Sequence, residues 1–295
     1  MSRMTLLAAA LLLSTSAFAA ESEKDYVVRS STVQPRTVAE WEAGGKANLA
    51  ADAEAAKAPT EASRYSEHAY NFETGSIRIL DFKRGAAVFH KIGSETALRV
   101  MKGSVDIEMD GKKTALKEGD IVQSPKGAIR AAASPEAVSI LLWNTTSRVK
   151  TPKTQVIKAE QTKPVTTMDY EADGKIVHAA KPEELAKAPK DAMTTTVKRY
   201  ELDGNSVRVV HSENKGVSGT TSGKIDGLAY VTQGRATLVE NGKEYIVSAG
   251  DAFRQAGGAT HNWKRTGTFE FVSTSSVPKD GKEREIPAGV REDAR

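Results

Sequence analysis

The sequence predicts a mainly β protein built from two tandem barrels with short helical arms. Three features predict it: the chain repeats itself at a spacing of about 130 residues, its alternating apolar runs are short, and tight turns separate them. Glu42-Ala43-Gly44-Gly45-Lys46 returns as Glu171-Ala172-Asp173-Gly174-Lys175, and Lys57-Ala58-Pro59 returns as Lys187-Ala188-Pro189. Ser76-Ile77-Arg78-Ile79-Leu80 returns as Ser206-Val207-Arg208-Val209-Val210, while Gly103 and Gly119-Asp120 match Gly234 and Gly250-Asp251 at a constant offset of 131. Anchors that recur in the same order mark a duplicated unit.

Taken in chain order, residues 1–20 begin with Arg3, continue as an apolar run from Leu6 to Leu13 and finish with Ala17-Phe18-Ala19, the layout of a cleavable secretory signal. The run is too short to span a bilayer, and no later segment is apolar enough to act as an anchor. The expectation is a periplasmic or secreted protein cut near Ala19 or Ala20. With no cysteine, it is stabilised by burial alone, and the roughly 275 residues left suffice for two domains.

The first unit spans 21–150 and the second 151–278. Each opens on an Ala/Glu/Lys-rich stretch with helix preference, and Thr37 followed by Glu40 resembles a capping box closed by Gly44-Gly45. From Tyr70 and from Lys198 the pattern becomes β: Ser104 to Met109 alternates before Asp110-Gly111, and Ala236 to Glu240 runs up to Asn241-Gly242. Such hairpins at even spacing indicate a barrel or sandwich. A helix-rich connection is expected from about Val149 to Thr195, and a loose charged tail from 279 to 295. The net charge of +4 comes from basic residues scattered among acidic ones, which excludes a nucleic-acid surface. No Gly-x-Ser-x-Gly elbow, phosphate-binding glycine loop or His-Glu-x-x-His is present, so hydrolase and nucleotide-binding readings lack support.

Gly119-Asp-Ile-Val-Gln-Ser-Pro125-Lys-Gly127-Ala-Ile-Arg130 resembles the second motif of the cupin family, Gly-x5-Pro-x-Gly-x2-His, with Arg130 where His belongs. Gly250-Asp-Ala-Phe-Arg-Gln-Ala256-Gly-Gly258-Ala-Thr-His261 fits with Ala256 for Pro and His261 in place. Gly103 and Gly234 match the glycine that closes the family's first motif. The resemblance implies two cupin-type double-stranded β-helix (jelly-roll) barrels, a bicupin.

Metal-binding cupins hold a divalent ion with a His-x-His, a following Glu and the His of the second motif. Counting back from Gly103 places the first pair at His90 and Ile92 and the Glu at Thr96, beside Glu95. With Arg130 bringing a fixed positive charge, the resemblance implies no metal in the first barrel. In the second, the corresponding positions are Thr221, Gly223 and Gly227 beside Asp226; His211, His261 and Asp226 could make a sparse metal site, or His261 could be a wall residue and His211 a strand-surface residue. No cofactor is expected, a divalent metal in the second barrel being the alternative. His68 and His178 read as solvated histidines of linker or edge regions.

Three functions follow. The first is an exported binder of a small acidic or sugar-like ligand, with Arg130 and His90 gripping a carboxylate (or Arg130 paired internally with Glu95) and with Trp263, two residues from His261 on the same face, offering a stacking surface. Packed core is the other fate of Trp263. The second is a metal-free acid–base enzyme using His261 with Asp226 or Tyr230. The third is an oxygenase or decarboxylase with metal in the second barrel. A monomer with internal pseudo-symmetry and a homodimer both fit the sequence.

Overall fold

The computed structural model describes residues 26–44, 46–83, 96–109, 112–124, 130–131, 136–150, 152–278 and 280–293. The first unit contains β1 (Val27–Val28), β2 (Arg36–Ala43), β3 (Lys46–Ala51), β4 (Ser63–Phe72), β5 (Gly75–Phe82), β6 (Thr96–Lys102), β7 (Ser104–Met109), β8 (Lys112–Lys117), β9 (Ile121–Ser124), β10 (Arg130–Ala131) and β11 (Val138–Asn144). The second contains β12 (Gln155–Ile157), β13 (Pro164–Ala172), β14 (Lys175–Ala179), β15 (Met193–Leu202), β16 (Asn205–Glu213), β17 (Lys215–Val217), β18 (Thr221–Ser222), β19 (Asp226–Glu240), β20 (Lys243–Ser248), β21 (Ala252–Gln255), β22 (Thr260–Ser276) and β23 (Arg291–Glu292).

One sheet runs β12-β9-β6-β11-β5-β4-β2-β3 and its counterpart runs β1-β21-β19-β22-β16-β15-β13-β14, so the duplication is visible strand by strand. The first barrel packs Leu80, Leu98, Val100, Ile107 and Leu116 in its interior, and the second is floored by Phe253, Trp263, Phe269 and Phe271. A third cluster belongs to both: Tyr70, Ile77, Leu141 and Trp143 meet Tyr200, Val207, Leu228 and Val272 across the junction.

The arms are strands, not helices. Residues 36–51 form the hairpin β2–β3 and residues 164–179 the hairpin β13–β14; among the described residues, the helical content of the connection is a single turn at Pro182–Leu185 and one 3-10 turn at Ala159–Gln161. β2 finds backbone partners along β4, and β13 finds them along β15. An open sheet edge that satisfies a row of N–H and C=O groups outweighs the few tenths of a kcal/mol per residue by which Ala, Glu and Lys prefer helix. Asp173 and Gly174 both take positive φ, +52° and +71°, as a two-residue hairpin turn requires. The expected loose tail is also corrected: residues 280–293 lie across the second barrel, where β23 pairs in parallel with β18.

The short strands preceding each unit are exchanged. β1 pairs with β21 of the second barrel (Val27 with Phe253), and β12 pairs with β9 of the first (Val156 with Val122). The Asp of each Gly-Asp corner holds the visiting arm. Asp251 accepts hydrogen bonds from Ser30 N (2.9 Å) and Arg29 Nη1 (3.2 Å), while Asp120 accepts them from Ala159 N and Lys158 Nζ (2.9 Å each).

Burial opposes ionisation of Asp120, but the bonds from Lys158 and the amides of Ala159 and Lys117 overcome it and hold the carboxyl below its usual range. A depressed value contributes stability that is present above the ordinary carboxylate pKa and lost as pH falls through the folded-state value. Asp120→Asn should lower the melting temperature by a few degrees at pH 7, and the gap to wild type should close on acidification; parallel melting curves across that range would contradict the assignment.

Candidate functional site: the cup of the second barrel

Strand alternation builds the cup. On β22, His261, Trp263 and Arg265 face inward while Asn262, Lys264 and Thr266 face out. Arg208 and Val210 on β16 and Thr195 and Val197 on β15 form the adjoining wall, and His178 closes a side from the β14 hairpin. Together with the tail they line a cavity of about 330 Å³, the size of a small-ligand pocket.

Arg265 dominates the chemistry. Its guanidinium is buried (5% exposed), donates to Thr195 Oγ1 (3.0 Å) and Ser212 Oγ, and lies over the faces of Trp263 (5.5 Å) and Phe269 (5.7 Å). Nε has no acceptor. Burial pushes its pKa down to about 10, with Asp169 pulling the other way, so it remains cationic at neutral pH. A buried cation held by hydroxyls and ring faces is expensive, and a carboxylate ligand entering the cup would offset much of that cost.

His261 is buried, with Nε2 2.9 Å from Thr221 Oγ1 and 3.5 Å from Asp293 Oδ2. Thr221 is the position counted for the first metal histidine, so the counting located the right wall of the cup with a hydroxyl in place of an imidazole. Trp263 stands beside His261 as expected. It is nevertheless part of the aromatic floor, stacked on Phe271 at 5.5 Å and 24° and edge-on to Phe253.

Other expected residues are elsewhere. Asp226 does not join His261: buried at the start of β19, it accepts from Arg254 Nε (2.9 Å) and Gly257 N (2.7 Å) and fixes the corner before β22. His211 points out of the barrel, since its neighbour Val210 faces in; it contacts Glu270 (3.3 Å) and Glu213 (3.4 Å). A His211–His261–Asp226 metal set is therefore not assembled. Tyr230 sits at the barrel junction against Tyr70. In the first barrel, His90 and Glu95 lie outside the described residues, and the backbone of Arg130 pairs with that of Glu108.

Sequence reasoning missed Arg265, Arg208, His178 and Asp293. Extending the alternation from Trp263 by two residues reaches Arg265. His178, expected to be solvated, lines the cup with Nδ1 2.8 Å from buried Asp169, a pair visible only once the β13–β14 hairpin is formed. The donor set does not fit a divalent cation: the guanidiniums of Arg208, Arg265 and Arg291 share the cup with His261, and among the described residues no three His, Cys, Asp or Glu converge.

Among solved structures, the chain resembles AerE from Microcystis aeruginosa (7% identity, TM-score 0.53, covering 72% of this chain and 91% of that one). It also resembles a variant of oxalate decarboxylase from Bacillus subtilis (12%, TM-score 0.54, 87% and 80%) and vicilin from Corylus avellana, hazelnut (12%, TM-score 0.50, 86% of each). No protein-family model matches, and no curated protein matches. At such identities the likeness establishes the fold, which is that of the tandem cupins.

Proposed function

From a tandem cupin fold and a cup built around cations, we propose that this is an exported binding protein for a small carboxylate, held in the second barrel without a metal. The observation that carries the reading is Arg265: a buried guanidinium that lines the cup and is held by hydroxyls and ring faces, with no carboxylate among its hydrogen-bond partners in the described residues. Anionic occupants would complete its pairing by charge-assisted hydrogen bonds, with Arg208 as a second donor on the adjoining wall. Export rests on the signal-like residues 1–20. The site differs from the one expected in the first barrel.

A metal-free acid–base enzyme is the second reading. His178 and Asp169 favour it, since a carboxylate at 2.8 Å orients the imidazole toward the same cup.

Arg265→Met should weaken carboxylate binding by roughly 2 kcal/mol or more, about 30-fold in Kd for malonate or succinate by calorimetry. Because methionine also removes an uncompensated buried charge, the melting temperature should stay level or rise. Unchanged affinity in the variant would overturn the proposal.

A further inference from the structure

The two cups neutralise their equivalent arginines in different ways. In the first barrel, Arg78 on β5 donates to Glu67 Oε1 on β4 at 2.9 Å, and Glu67 is buried. Its counterpart in the repeat is Arg208 on β16. Strand register identifies what has replaced the glutamate: Glu67 pairs with Leu80 on β5, and Val197 pairs with Val210, the counterpart of Leu80. Valine thus stands where the first barrel keeps its own carboxylate, and Val197 lines the second cup.

The missing charge arrives from the end of the chain. Asp293 Oδ1 accepts from Arg208 Nη1 at 2.8 Å, and Oδ2 lies 3.5 Å from His261 Nε2. The tail is held at the rim by backbone bonds: Asp293 N to Ser222 O and Arg284 N to Lys224 O, both 2.7 Å, with Glu292 against Lys224 at 3.4 Å. Arg291, Glu292 and Asp293 all line the cavity. Gly289 has φ +78° with open space around it, a natural hinge for lifting β23. β23 has only two residues and a single neighbouring strand, so it is among the least costly elements to detach.

We propose that the segment after Pro287 is a lid carrying its own carboxylate, Asp293, which occupies the anion position on Arg208 and is displaced when a carboxylate ligand enters the cup. The inference rests on the carboxylate-binding reading above and adds its regulation: ligand and tail compete, so the exposed tail signals an occupied cup.

Malonate titrations of the full chain, of Asp293→Asn and of a chain lacking residues 288–295 test it, with hydrogen exchange at the Asp293 amide followed in the full chain. Both variants keep the Arg284–Lys224 anchor, and the shortened chain loses no strand but β23. Competition predicts malonate binding about tenfold tighter in each variant, and faster exchange of the Asp293 amide in the full chain once malonate is added. Equal or weaker binding in both variants, beside measurable binding by the full chain, would overturn the lid and leave the carboxylate site standing. Binding by none of the three would overturn both together.

Discussion

Gly234→Ala should unfold the protein at a much lower denaturant concentration than wild type, with a loss of about 4 kcal/mol or more, at the extreme of single substitutions. Gly234 has φ +78° where β19 slips register against β22, and a Cβ there would lie 2.0 Å from Thr268 O and 3.2 Å from Phe269 Cα. No flexible side chain can yield, because the obstacles are backbone atoms of the partner strand β22. Positive φ alone costs a non-glycine residue roughly 1–2 kcal/mol. Gly242→Ala isolates that part: φ is +80° and nothing lies within 4 Å of the new methyl. Urea midpoints of the two variants should therefore differ widely, and similar midpoints would show that the close approach to Thr268 is not what demands glycine.

Trp143→Ala should cost about 3–5 kcal/mol, the range for deleting a fully buried aromatic, and lower the melting temperature by roughly 10 °C. Trp143 is 0% exposed and sits in the cluster shared by both barrels, between Ile77 of β5 and Ala97 of β6. Its Nε1 has no acceptor, so Trp143→Phe sacrifices volume but no hydrogen bond and should lose less than the alanine variant. Since the cluster joins Leu141 and Trp143 to Tyr200 and Leu228, calorimetry should show one transition moving as a whole. Two separated transitions, with only the first displaced, would show that the barrels do not share a core.

Much of the fold was legible because local chemistry demands it. Asn241-Gly242 closes β19–β20 with φ of +48° and +80°, and Gly103 and Gly234 carry the positive φ that their motif position requires. Period-two alternation put His261 and Trp263 on one face, and the spacing of the repeat found both barrels. The arms were misread because helix preference is a local quantity, whereas β2 and β13 are decided by the sheet edges they meet. The site was misplaced for a related reason. Motif counting assigns Asp226 to the cup from its distance along the chain, yet Arg254 and the Gly257 amide claim it from the other side of the corner. Arg208 is unremarkable in sequence, and its role emerges only when the register of β15 and β16 sets Val197 against Glu67 of the first unit. A tail of mixed charge reads as solvated until Asp293 is seen to have a guanidinium waiting for it.

The exchanged arms bear on chain continuity. The connection between β11 and β12 runs over the surface, with Arg148, Val149 and Lys150 exposed. A protease nick there would release nothing. The N-terminal fragment would still have β1 threaded into the second barrel's sheet, and the C-terminal fragment would still have β12 threaded into the first. Each half would hold the other as a clasp holds its mate, so integrity of the particle does not depend on the one peptide link that joins its halves.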